Sequence, residues 1–249
     1  MKPELWQIPE VSAAAAARLE PKTAELDRRL CEIAERFPDA LLASSLAVED
    51  MLITDRIAAL SLPLGVFTLD TGRLNPETAA LIGDTRRRYP HIGLAVWRPQ
   101  GEAAQAFDRE HGAGGIYDSV AVRKACCTIR KVEPLNRALS SARAWLTGQR
   151  RGQSQTRSGL DWEECDRERG IVKFNPIFDW EEDDVWAYAA AHNLPLNALY
   201  RQGYPSIGCE PCTRPVKKGE DIRAGRWWWE SRDSKECGLH SQNTANPSS

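Results

Sequence analysis

Four of the seven cysteines stand in two pairs: Cys126 beside Cys127 in KACCTIRK, and Cys209 with Cys212 in CEPC. Adjacent cysteines make a poor disulfide, because neighbouring Cβ atoms cannot reach unstrained bridge geometry. Left as bare thiols they are an oxidation liability. The C-x-x-C spacing chelates, although it is also the spacing of a redox pair, and four thiolates satisfy either a zinc ion or an iron–sulfur cluster. Zinc ligands usually stand about two to four residues apart, which suits the adjacent pair poorly. A cluster presents several irons, so neighbouring cysteines can bind different ones. Arg123, Lys124, Arg130 and Lys131 flank the adjacent pair with no acid among them. Such cations offset concentrated thiolate charge; the plain alternative is an ordinary basic helix face, and bracketing an anionic centre favours function for at least one of them.

A second set of residues could hold an anion. In LLASSLAVED, Ser44 and Ser45 lie between an apolar run and a helix-like run. Hydroxyls and backbone N–H groups at a helix start attract anions, but two serines there are also ordinary caps. TGQRRGQSQTR carries Gly148, Arg150, Arg151 and Arg157 without an acid, and DIRAGRWWWE adds Arg223 and Arg226. Guanidinium forks match phosphate and sulfate oxygens, and the plain alternative for each is a solvated surface. Late in the chain, Cys237 in SKECGLH stands near Lys235 and His240. Those neighbours favour the nucleophilic thiolate, against the alternative of an inert terminal cysteine. Cys31 reads as a core residue, Cys165 receives no role, and Trp227 to Trp229 read by default as packing.

These residues need a frame. The chain has 249 residues, 42% of them hydrophobic, and a net charge of −2, so nothing in bulk charge points to nucleic acid. An odd, unevenly spaced cysteine count fits a reducing cytosol better than a secreted disulfide framework. No run approaches the ~18 apolar residues of a membrane span. ALLASS, LGVFTLD, IGLAVWRP, RAWLTGQ and IVKFNPIFDW read as strands. Helical patterns precede and separate them: from Thr23 to Arg36, Glu49 to Leu60, Asn75-Pro76 to Tyr89, Glu102 to His111, and Glu181 to His192, the last with a capping box of Asp179 and Glu182. Alternating strands and helices predict a parallel α/β sheet with ligands at the carboxyl ends of its strands. Residues 1–21 are expected to form an arm, 22–230 one α/β domain, and 231–249 a flexible tail.

Taken together, the segments resemble the adenylyl-sulfate reductases, the cluster-bearing branch of the sulfonucleotide reductases, from about Leu41 to His240. The resemblance rests on CC with CEPC, LDTGR, TGQRRGQS, RAGRWWWE and ECGLH. It implies a Rossmann-like adenine-nucleotide α-hydrolase fold related to the ATP-pyrophosphatases. It also implies a [4Fe–4S] cluster on Cys126, Cys127, Cys209 and Cys212. The related 3′-phosphoadenylyl-sulfate reductases lack those cysteines, so adenosine 5′-phosphosulfate is the expected substrate and AMP the product. Carried over with the resemblance are nucleotide contacts at Ser44, Ser45, Leu69, Asp70, Thr71, Gly72 and Gly148. Lys131, Arg150, Arg157, Arg223 and Arg226 would face the anionic end. Cys237, with His240 near it, would attack sulfur and carry a thiosulfonate until thioredoxin or a glutaredoxin-like donor releases sulfite. Assimilatory sulfate reduction in the cytoplasm by a homo-oligomer is expected, with no nucleic acid or membrane partner. The rivals are a reductase of the 3′-phosphorylated nucleotide or of both, an iron–sulfur tRNA thiolation enzyme, and a structural zinc protein. One departure stands out. SSLAVED replaces the glycine-rich SGGxD loop of the pyrophosphatases, which argues against close approach to a pyrophosphate.

Overall fold

The computed structural model describes residues 3–153 and 157–231. Six strands form one sheet in the order β3-β2-β1-β4-β6-β5, where β1 is Leu41–Ser44, β2 Gly65–Leu69, β3 Ala95–Trp97, β4 Ala144–Leu146, β5 Glu163–Asp166 and β6 Ile171–Phe174. All pairings are parallel except that of β5 with β6. Successive strands step outward on one side of β1, and β4 then adds to its other side. The β1–β4 boundary is therefore the switch point, where connections diverge and leave a crevice at the strand ends. In-register pairs Ser44 with Thr68, and Leu42 with Leu146, bring the exits of β1, β2 and β4 to one level.

Helices α1 (Ala13–Arg36), α2 (Val48–Ala59), α3 (Pro76–Arg88) and α7 (Glu182–Ala191) bury Leu26, Leu30, Met51, Ile53, Leu81 and Tyr188 in one large core. On the opposite sheet face, α6 (Glu133–Ala138) packs Leu135 and Ala138 with Phe67 and Trp145. A third cluster joins Phe107 of α4 (Gly101–His111) to Ile116, Cys126, Cys209, Cys212 and Trp227.

Three local expectations are corrected. Helix α1 begins at Ala13, ten residues before Thr23, and runs through Pro21. The Ser12 side chain caps it, and Arg18 and Lys22 anchor it to buried Asp184 across the fold. Those ties compensate for the donor that proline removes. The capping box of α7 consists of Glu181 and Asp184, whereas Asp179 binds Arg29. The charged stretch EECD forms edge strand β5, which the sequence pattern left unassigned because alternating apolar residues are missing there.

Candidate active site

The exits of β1, β2 and β4 frame a cavity of about 280 Å³ at the switch point. Of the residues singled out in the sequence, Ser44, Ser45, Leu69, Thr71, Lys131, Gly148, Arg157, Arg223 and Arg226 line it. Asp70, Gly72 and Arg150 do not. Asp70 accepts from the Gly72 N–H and from Arg98 and so shapes the turn behind the wall. Arg150 is buried, bound to Glu49 at 2.9 Å and to the Trp180 carbonyl at 3.2 Å. Cys237 and His240 lie outside the described residues.

The serine loop is organised differently from expectation. Its N–H groups have protein acceptors: Asp50 Oδ2 takes that of Ser45 at 2.7 Å, Ser44 Oγ that of Leu46, Ser45 Oγ that of Ala47, and the Tyr200 hydroxyl that of Val48. These amides therefore do not face an anion. Leu46 takes φ +63°, the left-handed conformation that glycine adopts freely, and its side chain is buried in the main core. Burial of an apolar side chain offsets a backbone cost of order 1–3 kcal/mol. The turn geometry is thus kept without glycine.

Asp50 is the residue that sequence reasoning missed here. Its Oδ2 also accepts from Ser45 Oγ at 2.6 Å, while Oδ1 accepts the Gly148 N–H at 2.9 Å. One carboxyl group thereby ties the exits of β1 and β4. Burial pushes its pKa up to about 6, against the opposing pull of the Ser45 hydrogen bonds. A Cβ on Gly148 would lie 2.4 Å from Asp50 Oδ1, so only glycine permits this approach.

Cations gather at the other wall. Arg226 stacks on Trp227 with its guanidinium carbon 4.6 Å from the ring centroid and passes beside Gly208, where a Cβ would meet it at 2.6 Å. Arg157 donates to Gln153, which also binds Glu49. Lys131 and Cys209 line this cavity and also a second, smaller one, which Cys126, Cys127 and Cys212 border together with Arg73, Arg123 and Arg130.

The four cysteines reach that second cavity from two segments. Helix α5 (Val120–Cys127) ends on the adjacent pair, and the chain continues through a wide π turn, Thr128–Val132. Such turns recur at functional sites. This one directs Arg130 to the Thr71 carbonyl and Asp108 while Lys131 reaches both cavities. Cys209 and Cys212 flank a tight turn whose Cys212 carbonyl accepts the Trp227 N–H. All four thiols are buried. Burial pushes the Cys209 thiol up, but Lys131, the Thr71 hydroxyl 3.3 Å away, Arg226 and Arg130 together hold it below its usual range. Burial and the neighbouring Cys209 push Cys212 up to about 12. Burial also raises Cys126, with Arg73 and Arg130 opposing. Among the described residues no three metal-binding side chains stand close enough to hold a single ion. The fit to a thiolate-bound cluster rests on four buried sulfurs bordering one cavity beside four cationic residues. Of these, Arg123 also pairs with buried Glu230 at 2.7 Å.

Comparison with known proteins follows the same lines. A family model for the phosphoadenosine phosphosulfate reductase domain matches residues 40–215. The chain therefore belongs to the phosphoadenosine phosphosulfate reductase domain family, and its fold is the adenine-nucleotide hydrolase-like α/β fold. Within the family it is similar to the adenosine 5′-phosphosulfate reductase of Neisseria meningitidis serogroup B, 58% identical over 239 residues, 96% of this chain and 97% of that one. The phosphoadenylyl-sulfate reductase of Candida auris, solved as a phosphate complex, is 26% identical with a TM-score of 0.67, over 83% of this chain and 99% of its own. Yeast FAD synthetase, in complex with FAD, shares the fold alone, at 15% identity and a TM-score of 0.55, covering 83% of this chain and 70% of that one. No described helix is long and apolar enough to cross a membrane.

Proposed function

We propose that this chain is an oxidoreductase that converts adenosine 5′-phosphosulfate to AMP and sulfite. The observation that carries the reading is the wall shared by the two cavities: Lys131 and Cys209 border both the nucleotide-sized space and the four-thiol space. The relatives named as adenosine 5′-phosphosulfate reductases support the same substrate.

In this reading the nucleoside lies against Ser44, Ser45, Leu69 and Gly148. The phosphosulfate points to Lys131, Arg157, Arg223 and Arg226. The Cys237 thiolate attacks the sulfate sulfur, an S–S bond forms, the sulfur–oxygen bond to phosphate breaks, and AMP leaves. Attack brings one anion to another. The cations screen that repulsion and stabilise charge growing on the departing phosphate. A thiolate of thioredoxin, or of a glutaredoxin-like dithiol, then attacks Cys237 Sγ and displaces sulfite. Its second thiol resolves the mixed disulfide, so the dithiol supplies both electrons and ends oxidised. His240 is assigned to the neighbourhood of Cys237. A [4Fe–4S] cluster held by Cys126, Cys127, Cys209 and Cys212 would supply structural and electrostatic support. The reading places the enzyme in the cytosol, as a homo-oligomer in sulfate assimilation.

The test is incubation with sulfur-labelled adenosine 5′-phosphosulfate without reductant, followed by peptide mass mapping. A sulfonate on Cys237 with one equivalent of AMP is expected, and no adduct would overturn the reading. Running the 3′-phosphorylated nucleotide in parallel decides substrate preference.

A further inference from the structure

Two large hydrophobic side chains near the thiol centre stay exposed. Tyr117, in the turn between α4 and α5, is 45% exposed and Trp228 is 40% exposed. Trp229 joins them, edge-on to Tyr117 at 4.5 Å and to Trp228 at 4.8 Å. The group is held from behind. The Tyr117 hydroxyl donates to the Pro211 carbonyl at 2.8 Å, inside the CEPC turn. Glu230, the next residue after Trp229, is locked to Arg123 in a buried ion pair. Neither Tyr117 nor Trp228 lines either cavity, so nucleotide binding does not account for them.

Chain length connects this surface to the second half of the reaction. Cys237 follows Trp229 by eight residues, which span no more than about 29 Å even when fully extended. Any protein that attacks the Cys237 sulfur must therefore do so within about 29 Å of Trp229. A standard interface covers about 800 Å² per partner, a patch roughly 30 Å across. Rigid aromatic side chains are the residues that such interfaces concentrate at their centres, because little conformational freedom is lost when they are covered.

We infer that Tyr117, Trp228 and Trp229 form the docking surface for the protein dithiol that releases sulfite from Cys237. The inference rests on the proposed function and deepens it by placing the reductant beside the thiol centre.

The test uses full-length, cluster-loaded protein carrying the sulfonate on Cys237. Sulfite release is followed against thioredoxin concentration for wild type, Trp228→Ala and Trp228→Glu. The half-saturating thioredoxin concentration is expected to rise about tenfold or more in both variants. Adduct formation without reductant, and release by dithiothreitol, should stay within about twofold of wild type. An unchanged thioredoxin dependence overturns the inference. So does an equal loss in adduct formation, which would make the patch a seat for the chain's own last residues, or a change in sedimentation, which would make it a contact between copies. Wild-type protein that forms no adduct on Cys237 overturns the proposed function itself, and the docking surface falls with it.

Discussion

The backbone N–H of Gly148 donates to Asp50 Oδ1 at 2.9 Å, while the other oxygen of the same carboxyl group holds the Ser45 amide and hydroxyl. The two loops at the switch point are thus one hydrogen-bonded unit. Gly148→Ala would place a methyl group 2.4 Å from Asp50 Oδ1 and 2.9 Å from Glu49 Cβ. We expect AMP affinity to fall about tenfold or more, with a stability loss of roughly 1–3 kcal/mol from the overpacking. Calorimetric titration with AMP and denaturant unfolding measure the two effects.

Asp50 also predicts a pH signature. Its pKa rises from 3.8 to about 6 in the folded chain. Between those values the folded state keeps a proton that the unfolded state has lost, so this group's contribution to stability falls as pH rises. The slope reaches at most about 1.4 kcal/mol per pH unit. Asp50→Asn should remove that part of the slope in urea midpoints measured from pH 4 to pH 6. An unchanged slope would mean that Asp50 titrates normally.

Lys131 borders both cavities. Loss of one cation positioned on a developing charge typically costs ~2.7–4 kcal/mol of barrier. Lys131→Ala should therefore lower turnover about 100-fold or more with iron content unchanged. Near-normal turnover would remove Lys131 from the mechanism.

The four thiols make a compositional prediction. Anaerobically purified protein should contain about four irons per chain and absorb in the visible. Cys212→Ser should lose most of that iron and absorbance, whereas Cys165→Ser, at an exposed position, should keep both. A single zinc in the wild type would contradict the cluster assignment.

The side chains of Arg123 and Glu230 are buried against each other, with N–O contacts of 2.7 and 2.8 Å. Glu230→Leu removes a buried carboxylate from Arg123, which keeps the Cys127 thiol and the Trp227 ring as neighbours. The cost should therefore stay at or below the about 3–5 kcal/mol of a fully broken buried pair, and Arg123→Met with Glu230→Leu should recover part of it. Denaturant midpoints of the two single variants and the double variant check this.

The sheet was legible because its strands are short apolar runs separated by helical periodicity. The two cysteine pairs were legible because their spacing is chemically unusual. Asp50 was not, since an acid three residues into a helix looks like ordinary dipole pairing, and its link to Gly148 spans 98 residues. Arg150 misled for a related reason. A guanidinium in an acid-free loop suggests an anion, yet its partner, Glu49, comes from 101 residues away. The edge strand β5 carries charges where a pattern reader looks for alternation. The amides of the serine loop found local acceptors in Ser44, Ser45 and Asp50, and one in Tyr200, 152 residues away, which no local pattern announces.

The wide turn at Thr128–Val132 has a consequence for how the chain tolerates length changes. Each residue of an ordinary helix rotates the next by about 100°. Deleting one residue from this turn would swing Leu135 off the sheet or pull Lys131 away from the wall it shares with Cys209. The segment acts as a vernier between two rigid parts, and its length is as constrained as its side chains.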